Sequence, residues 1–317
     1  MLQYLIILLD DTSTSFCHYE NSKTELRLIP IETLRQGIRF GMMENLMIQF
    51  VYPDYELPQE YKNVIETIDH SKIVSSHCMD DALKTEADVI VFNDWTELPA
   101  GTFEDEKSYV LRTTRQKFFD RYNLLKNVLG KAVRLNIVLT DVELFREEDF
   151  TKYKQCLSHL SDDMVDLYKE GKSPQLNILT DRLMLDKMNN CNAGWESITL
   201  APNGKLYVCP AFYYENDFSI GSLDDGLDIK NPQLYKLGYA PICRHCDAYQ
   251  CRRCIWLNKK TTLEVNTPSH EQCVVAHLER NASRELLRGG RELGEFVPER
   301  EIKEIDYLDP FEKRKEW

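Results

Sequence analysis

The sequence predicts an α/β protein built on a parallel sheet and followed by a short cysteine-rich region. Two observations carry the first part. Short apolar runs alternate with amphipathic stretches over residues 1–185, and strands joined by helical crossovers pair in parallel. The runs are continuously apolar, as in strands buried on both faces. A third observation carries the second part. The alternation stops near Asp186, and seven of the ten cysteines lie between Cys191 and Cys273. An open doubly wound sheet and a partial barrel both satisfy this alternation.

Leu2 to Leu9 is the first strand. A long polar loop, Asp10 to Ile29, leads to a helix opened by Pro30, with Ile31, Leu34, Ile38 and Met42 on one face; proline is favourable at the first helical position. Met47 to Tyr52 is a strand closed by Pro53. A helical stretch around Tyr61–Ile68 follows, then strands at Lys72–Ser75, Asp88–Phe92 and Tyr109–Thr113. Arg115 to Leu129 has Phe118, Tyr122, Leu125 and Leu129 on one side and Gly130 at its end, which predicts one amphipathic helix. Val133–Leu139 is a strand. Glu147–Glu170 is a long helix with Phe150, Tyr153, Leu157, Leu160, Met164 and Leu167 inward, and Gln175–Thr180 is the last strand of the series.

Beyond Cys191, Glu196–Leu200 and Lys205–Cys209 flank Ala201-Pro-Asn-Gly204, a hairpin signal. Val274 to Leu287 is helical, with Val274, Leu278 and Leu286 inward. Residues 289–317 read as a charged tail ending in Phe311-Glu-Lys-Arg-Lys-Glu-Trp317, partly ordered at best and able to embrace a partner. The expected divisions are therefore 1–188, 189–288 and 289–317.

Composition narrows the function. A formal net charge of -13 repels phosphate backbones, so nucleic acid is not an expected partner. The opening apolar run is too short for a membrane span and lacks a basic leader and a small-residue cleavage site. A cytoplasmic, reducing setting with no membrane partner is expected.

The chemistry concentrates in Cys243-Arg-His-Cys246-Asp-Ala-Tyr-Gln-Cys251-Arg-Arg-Cys254, a C-x2-C-x4-C-x2-C run. Each CxxC pair puts two sulfurs on one tight turn, close enough to share one metal atom or cluster. A disulfide scaffold requires an oxidising compartment. Buried core cysteines prefer apolar neighbours, whereas these four sit among Arg, His, Asp and Gln. Metal ligation is the stronger reading.

The combination Cys191-Asn-Ala-Gly194, Ala201-Pro-Asn-Gly-Lys-Leu-Tyr-Val-Cys209-Pro, the CxxCxxxxCxxC run and Cys273 with Glu279-Arg280 after it resembles the SPASM domain of radical S-adenosylmethionine peptide maturases. Each of the last two gaps in the run is shorter than the usual pattern by one residue. The resemblance implies two auxiliary [4Fe-4S] clusters, one held by Cys243, Cys246, Cys251 and Cys273, the other by Cys191, Cys209 and Cys254 with one position left for another ligand. His245, His270 and Asp247 are candidates for that position. It also implies a radical SAM-like partial α/β barrel ahead of this region. That superfamily carries C-x3-C-x2-C after its first strand. Here the loop has Cys17, but Asn21 and Thr24 stand where the other cysteines belong. One thiolate cannot build the usual radical-generating cluster.

With its opening Tyr4-Leu-Ile-Ile-Leu-Leu-Asp-Asp-Thr-Ser13 and the Ser15-Phe-Cys17-His18-Tyr19 loop, the chain is similar to the CXXX repeat peptide maturase family. That similarity implies a subunit that recognises a cysteine-rich precursor peptide and acts with a partner radical SAM enzyme. The alternative is a zinc-binding peptide-recognition adaptor without catalysis, since Zn2+ accepts the same thiolates. Candidate reactive residues are Cys17 and His18, and Asp10 and Asp11, which end the first strand where parallel sheets place ligand sites. Cys17, His18, His77 and Cys78 form a possible second metal group. Cys156, inward on the long helix, belongs to the core.

Overall fold

The computed structural model describes residues 2–98, 101–188, 191–215 and 218–304. In chain order the elements are β1 (Tyr4–Leu8), α1 (Ile31–Met43), β2 (Met47–Val51), α2 (Gln59–Ile65), β3 (Ser71–Ser75), α3 (Asp81–Glu86) and β4 (Val89–Phe92). Next come β5 (Ser108–Thr113), α4 (Arg115–Arg121), α5 (Leu125–Leu129), β6 (Arg134–Leu139), α6 (Glu147–Lys169), β7 (Gln175–Leu176) and α7 (Asn177–Met184). The chain continues with β8 (Ser197–Leu200), β9 (Lys205–Tyr207), α8 (Pro210–Glu215), β10 (Ser219–Ser222), β11 (Gly226–Leu227), α9 (Ile255–Thr262) and α10 (His270–Arg291). Strands and helices alternate as expected, and parallel pairing dominates the sheets. The chain forms two compact units, each assembled from two stretches: Met1–Asn93 with Cys191–Tyr239, and Asp94–Asn190 with Ala240–Trp317.

In the first unit the strands run β11-β10-β9-β8-β1-β2-β3-β4. β1 is the centre. It pairs in parallel with β2, register Tyr4↔Met47, and with β8, register Tyr4↔Ser197. The predicted hairpin exists as antiparallel β8 and β9. Through β8 it extends the N-terminal sheet. Leu5, Ile7 and Leu8 are wholly buried, the expected state of a continuously apolar central strand.

Helix α1 corrects the sequence reading. Leu34 and Ile38 are buried, but Met42 is 63% exposed. The buried face is completed by Gly37 and Gly41. A Cβ on Gly37 would stand 2.4 Å from Leu200 Cδ2, and one on Gly41 would stand 2.7 Å from Ile48 Cδ1. The helix backbone lies directly on the sheet there, which a hydropathy pattern cannot register. Gly41→Val is expected to lose about 2 kcal/mol through overpacking. Urea denaturation checks this, and Ile48→Ala in the same chain should recover part of the loss.

In the second unit β5, β6 and β7 pair in parallel. The inward face of α6 is as predicted, with Phe150, Tyr153, Leu157, Leu160, Met164 and Leu167 all buried, and Cys156 is a core residue. The expected strand Gln175–Thr180 ends after Leu176 and the chain turns into α7. Asn177 explains the switch. Its side-chain amide accepts from Ile137 N at 2.7 Å and donates to Ile137 O at 2.9 Å. A side chain thus takes the place of the next peptide group in the β6 ladder, and the backbone is released into a helix whose Leu179 and Leu183 are buried. The single helix expected over Arg115–Leu129 is broken by a 3-10 turn at Tyr122–Leu124.

Helix α10 packs against α6 and α7. Ser283 Oγ donates to Leu179 O at 2.6 Å and Tyr153 OH to Glu279 Oε1 at 2.8 Å. Part of the expected tail is packed in this unit. Phe296 lies tilted against Tyr168 with ring centroids 5.2 Å apart, Arg300 donates to Leu185 O at 2.9 Å, and Ile302 is buried. The remainder, residues 305–317 with Phe311 to Trp317, lies outside the described residues.

Candidate metal centre and the first loop

In the first unit, the loop after β1 is held by its own side chains. Asp10 is fully buried and accepts from Thr12 N at 2.8 Å, Thr12 Oγ1 at 2.6 Å and Tyr55 OH at 2.9 Å. Asp11 accepts from Tyr213 OH, and Lys23 Nζ stands 3.8 Å away, over the Tyr213 ring. Burial, and then the neighbouring carboxylates, raise both phenols well above their ordinary range, so both keep their protons and donate. The two aspartates hold α8 and the Tyr55 segment to the end of β1.

Asn21 occupies the position where a second cluster cysteine is expected. Its Nδ2 donates to Asp11 O and Ser13 O, both at 2.9 Å, and its Oδ1 accepts from Lys23 N at 2.9 Å. A short amide that bonds both directions of the chain closes the loop. Thr24 is exposed, and Cys17 and His18 are half-buried. Tyr19 stacks on Tyr214 at 5.4 Å, which ties the loop to α8. Cys78 is buried, with its thiol raised by desolvation, while His77 is exposed. Cys191, exposed, precedes β8, and Cys209, half-buried, precedes α8.

The second unit holds the other five cysteines of the motif. Cys243, Cys246, Cys251 and Cys273 line one cavity of about 250 Å³, together with His245, Asp247, Gln272 and His277. Local turns position them. Cys243–His245 forms a 3-10 turn that ends at Cys246. Backbone N–H groups point at two of the sulfurs: Ala248 N lies 3.4 Å from Cys246 Sγ and Arg253 N 3.4 Å from Cys251 Sγ. Arg253 takes φ +44°, a left-handed conformation unfavourable for a side-chain-bearing residue, and is buried. Cys273 sits in the first turn of α10, set by a Ser269/Gln272 capping box: Gln272 N donates to Ser269 Oγ at 3.3 Å and Ser269 N to Gln272 Oε1 at 2.9 Å. Cys254 lies outside the cavity lining, at the start of α9.

The donor set fits a metal group of the thiolate-bound kind. Cavities among apolar side chains are normally filled in close-packed cores; this one brings four thiols and two imidazoles, His245 and His277, together with apolar side chains. Desolvation pushes Cys243 up to about 11 and Cys251 to about 12, and raises Cys246. The buried Arg253 cation opposes the rise at Cys243. Such thiols stay neutral until a cation draws off their protons. Among the described residues, no three or more His, Cys, Asp or Glu side chains gather around one point as ligands of a single metal ion, and no disulfide joins the cysteines. This holds for Cys17, His18, His77 and Cys78 as it does for the four cavity cysteines.

Of the candidates for a further ligand, Asp247 is engaged elsewhere. Arg280 Nε reaches its two oxygens at 2.8 and 2.9 Å, and Arg280 Nη2 reaches Oδ2 at 2.6 Å. Arg182 Nε donates to Asp247 O at 2.7 Å. His245 is exposed at the cavity rim, and His270 lies edge-on to Phe150 at 5.9 Å. Sequence reading missed His277, whose Nε2 is 3.4 Å from Cys246 Sγ. Its signal was available: it stands four residues after Cys273 on a predicted helix.

No protein family and no curated protein matches the chain. Solved structures do. The fold is similar to native anSMEcpe with bound AdoMet and Cp18Cys peptide, at 11% identity and TM-score 0.61, covering 92% of this chain and 100% of that one. It is also similar to a histidine-tagged anSMEcpe with bound AdoMet, at 11% identity and TM-score 0.65, covering 94% and 98%. Streptococcus suis SuiB bound to precursor peptide SuiA matches at 10% identity and TM-score 0.51, covering 86% and 76%. At these identities the likeness is one of fold, and it extends over both units. Among the described residues, no helix is long and apolar enough to cross a membrane.

Proposed function

We propose that the protein is a cluster-binding maturase subunit for a ribosomally made, cysteine-rich peptide. In this reading it binds auxiliary [4Fe-4S] clusters, recognises the precursor, and works with a partner radical SAM enzyme. The observation that carries it is the cavity lined by Cys243, Cys246, Cys251 and Cys273, with backbone N–H groups directed at two of its sulfurs. Bound there, such a cluster supplies one-electron transfer. Around one zinc ion, thiolates crowd to within about 4 Å of each other, given Zn–S bonds of about 2.3 Å. Around a cubane each binds its own iron and they stand further apart, which suits four thiols that line one cavity without gathering as a single-ion ligand set among the described residues. The fold neighbours add support, because anSMEcpe and SuiB were each solved with a peptide.

The same reading holds that the chain does not generate a radical alone. The first loop has Asn21 locked into hydrogen bonds with the backbone and Thr24 exposed, where cluster thiolates are required. The remaining task of that unit would be scaffolding and recognition. The zinc adaptor is the competing outcome.

Anaerobic purification with metal analysis tests the proposal. Full reconstitution should give about eight irons per chain, two cubanes' worth, and Cys246→Ala should remove about half. No 5′-deoxyadenosine should form from S-adenosylmethionine and reductant without a partner enzyme. A colourless protein with stoichiometric zinc would establish the adaptor reading instead, and 5′-deoxyadenosine that disappears on Cys17→Ala would restore independent catalysis.

A further inference from the structure

His277 follows Cys273 by four residues on α10, so the two side chains leave one face of the helix a turn apart. Its residue is 5% exposed and lines the four-cysteine cavity. Nε2 stands 3.4 Å from Cys246 Sγ, the sulfur that also faces Ala248 N. Asp247, which interacts electrostatically with His277, is already paired with Arg280 and Arg182. Neither His245 at the rim nor His270 at the helix start combines burial with contact to a motif sulfur.

We infer that His277 is the side-chain hydrogen-bond donor to the Cys246 sulfur and tunes the reduction potential of the group that Cys246 binds. The inference rests on the cluster reading above. A neutral thiol is a weak acceptor, but a metal-bound thiolate carries negative charge, and charge-assisted hydrogen bonds are the strong ones. A donor aimed at a cluster sulfur stabilises the reduced, more negative state over the oxidised one, which raises the potential. Ala248 N–H does this from the backbone. His277 adds a second donor that mutagenesis can remove without touching a ligand. His277 is thus a positioning and tuning residue, and the four thiols remain the ligands.

The test uses the full chain, reconstituted anaerobically with iron and sulfide. His277→Gln keeps an N–H donor of similar reach, and His277→Leu removes it. We expect equal iron per chain in the three proteins. The reduced cluster's paramagnetic signal should titrate at a lower potential in His277→Leu and near wild type in His277→Gln. If His277→Leu fails to fold, His277→Asn, whose shorter amide withdraws the donor, should show the same lowering. An unmoved potential with iron intact overturns the inference and leaves the cluster reading standing. A strong nitrogen hyperfine coupling in wild type, with iron lost in both His277→Gln and His277→Leu, makes His277 a ligand and also overturns it. If wild type takes up no iron, the cluster reading itself fails, and this inference falls with it.

Discussion

Replacing Arg280 with methionine should cost the second unit about 3 kcal/mol of stability, read from chemical denaturation of the metal-free and reconstituted protein. Arg280 is fully buried and makes three contacts to the Asp247 carboxylate, at 2.8, 2.9 and 2.6 Å. Breaking a buried pair by removing one partner typically costs about 3–5 kcal/mol, because the survivor is left uncompensated. Asp247 keeps 34% of its side-chain surface exposed, which places the expectation at the lower end. Asp247 lies next to Cys246, so the loss should also appear as reduced iron per chain. Removing both partners, Arg280→Met with Asp247→Leu, should recover more than half of the lost stability. An additive double variant would show that the two residues act independently and would remove the role assigned here to the pair.

Arg280 also marks what sequence reading could reach. Glu279-Arg280 is part of the motif that flags the cysteine region, yet nothing in the string of letters pairs residue 280 with 247. Spacing was enough to bring Cys243 and Cys246 to one cavity across a short turn, but it did not do the same for Cys251 and Cys254, since Cys254 lies outside that lining. It was enough for α6, where large apolar residues repeat at helical spacing. At α1 it found the helix and the buried Leu34 and Ile38 but misplaced Met42, because Gly37 and Gly41 pack by having no side chain and so leave no apolar signal. It failed at β7, where the apolar letters of Gln175–Thr180 suit a strand and a helix equally. The decision there belongs to Asn177, whose hydrogen bonds to Ile137 span forty residues of sequence. The missing cysteine at Asn21 was legible as an absence. That the asparagine itself braces the loop was not, since its partners are backbone atoms of Asp11 and Ser13.

Raising the pH from about 4.5 to about 7 should destabilise the wild-type protein relative to Glu279→Gln by about 2 kcal/mol. Desolvation pushes the Glu279 carboxyl up to about 7 from its ordinary 4.5. Tyr153 OH donates to it at 2.8 Å, and Tyr153, raised far above its own range by burial, stays protonated. Tyr153 and Gln250 both favour the ionised carboxylate, but desolvation outweighs them. The sign follows from linkage. A carboxyl that holds its proton more tightly when folded contributes stability fully below the unfolded value of about 4.5. That contribution is lost as pH rises through the folded value of about 7. Each pH unit between them is worth about 1.4 kcal/mol, so the full span gives roughly 3 kcal/mol, and the residue's partial exposure trims this to about 2. Glu279→Gln removes the ionisation while keeping shape and a hydrogen-bonding end. The measurement is the difference in unfolding free energy between wild type and variant at pH 5 and at pH 8, with an infrared band for a protonated carboxyl near pH 5.5 as the independent check. A difference that does not change with pH, or a band that survives in Glu279→Gln, would mean that Glu279 is ionised in the folded protein and that Tyr153 donates to a carboxylate.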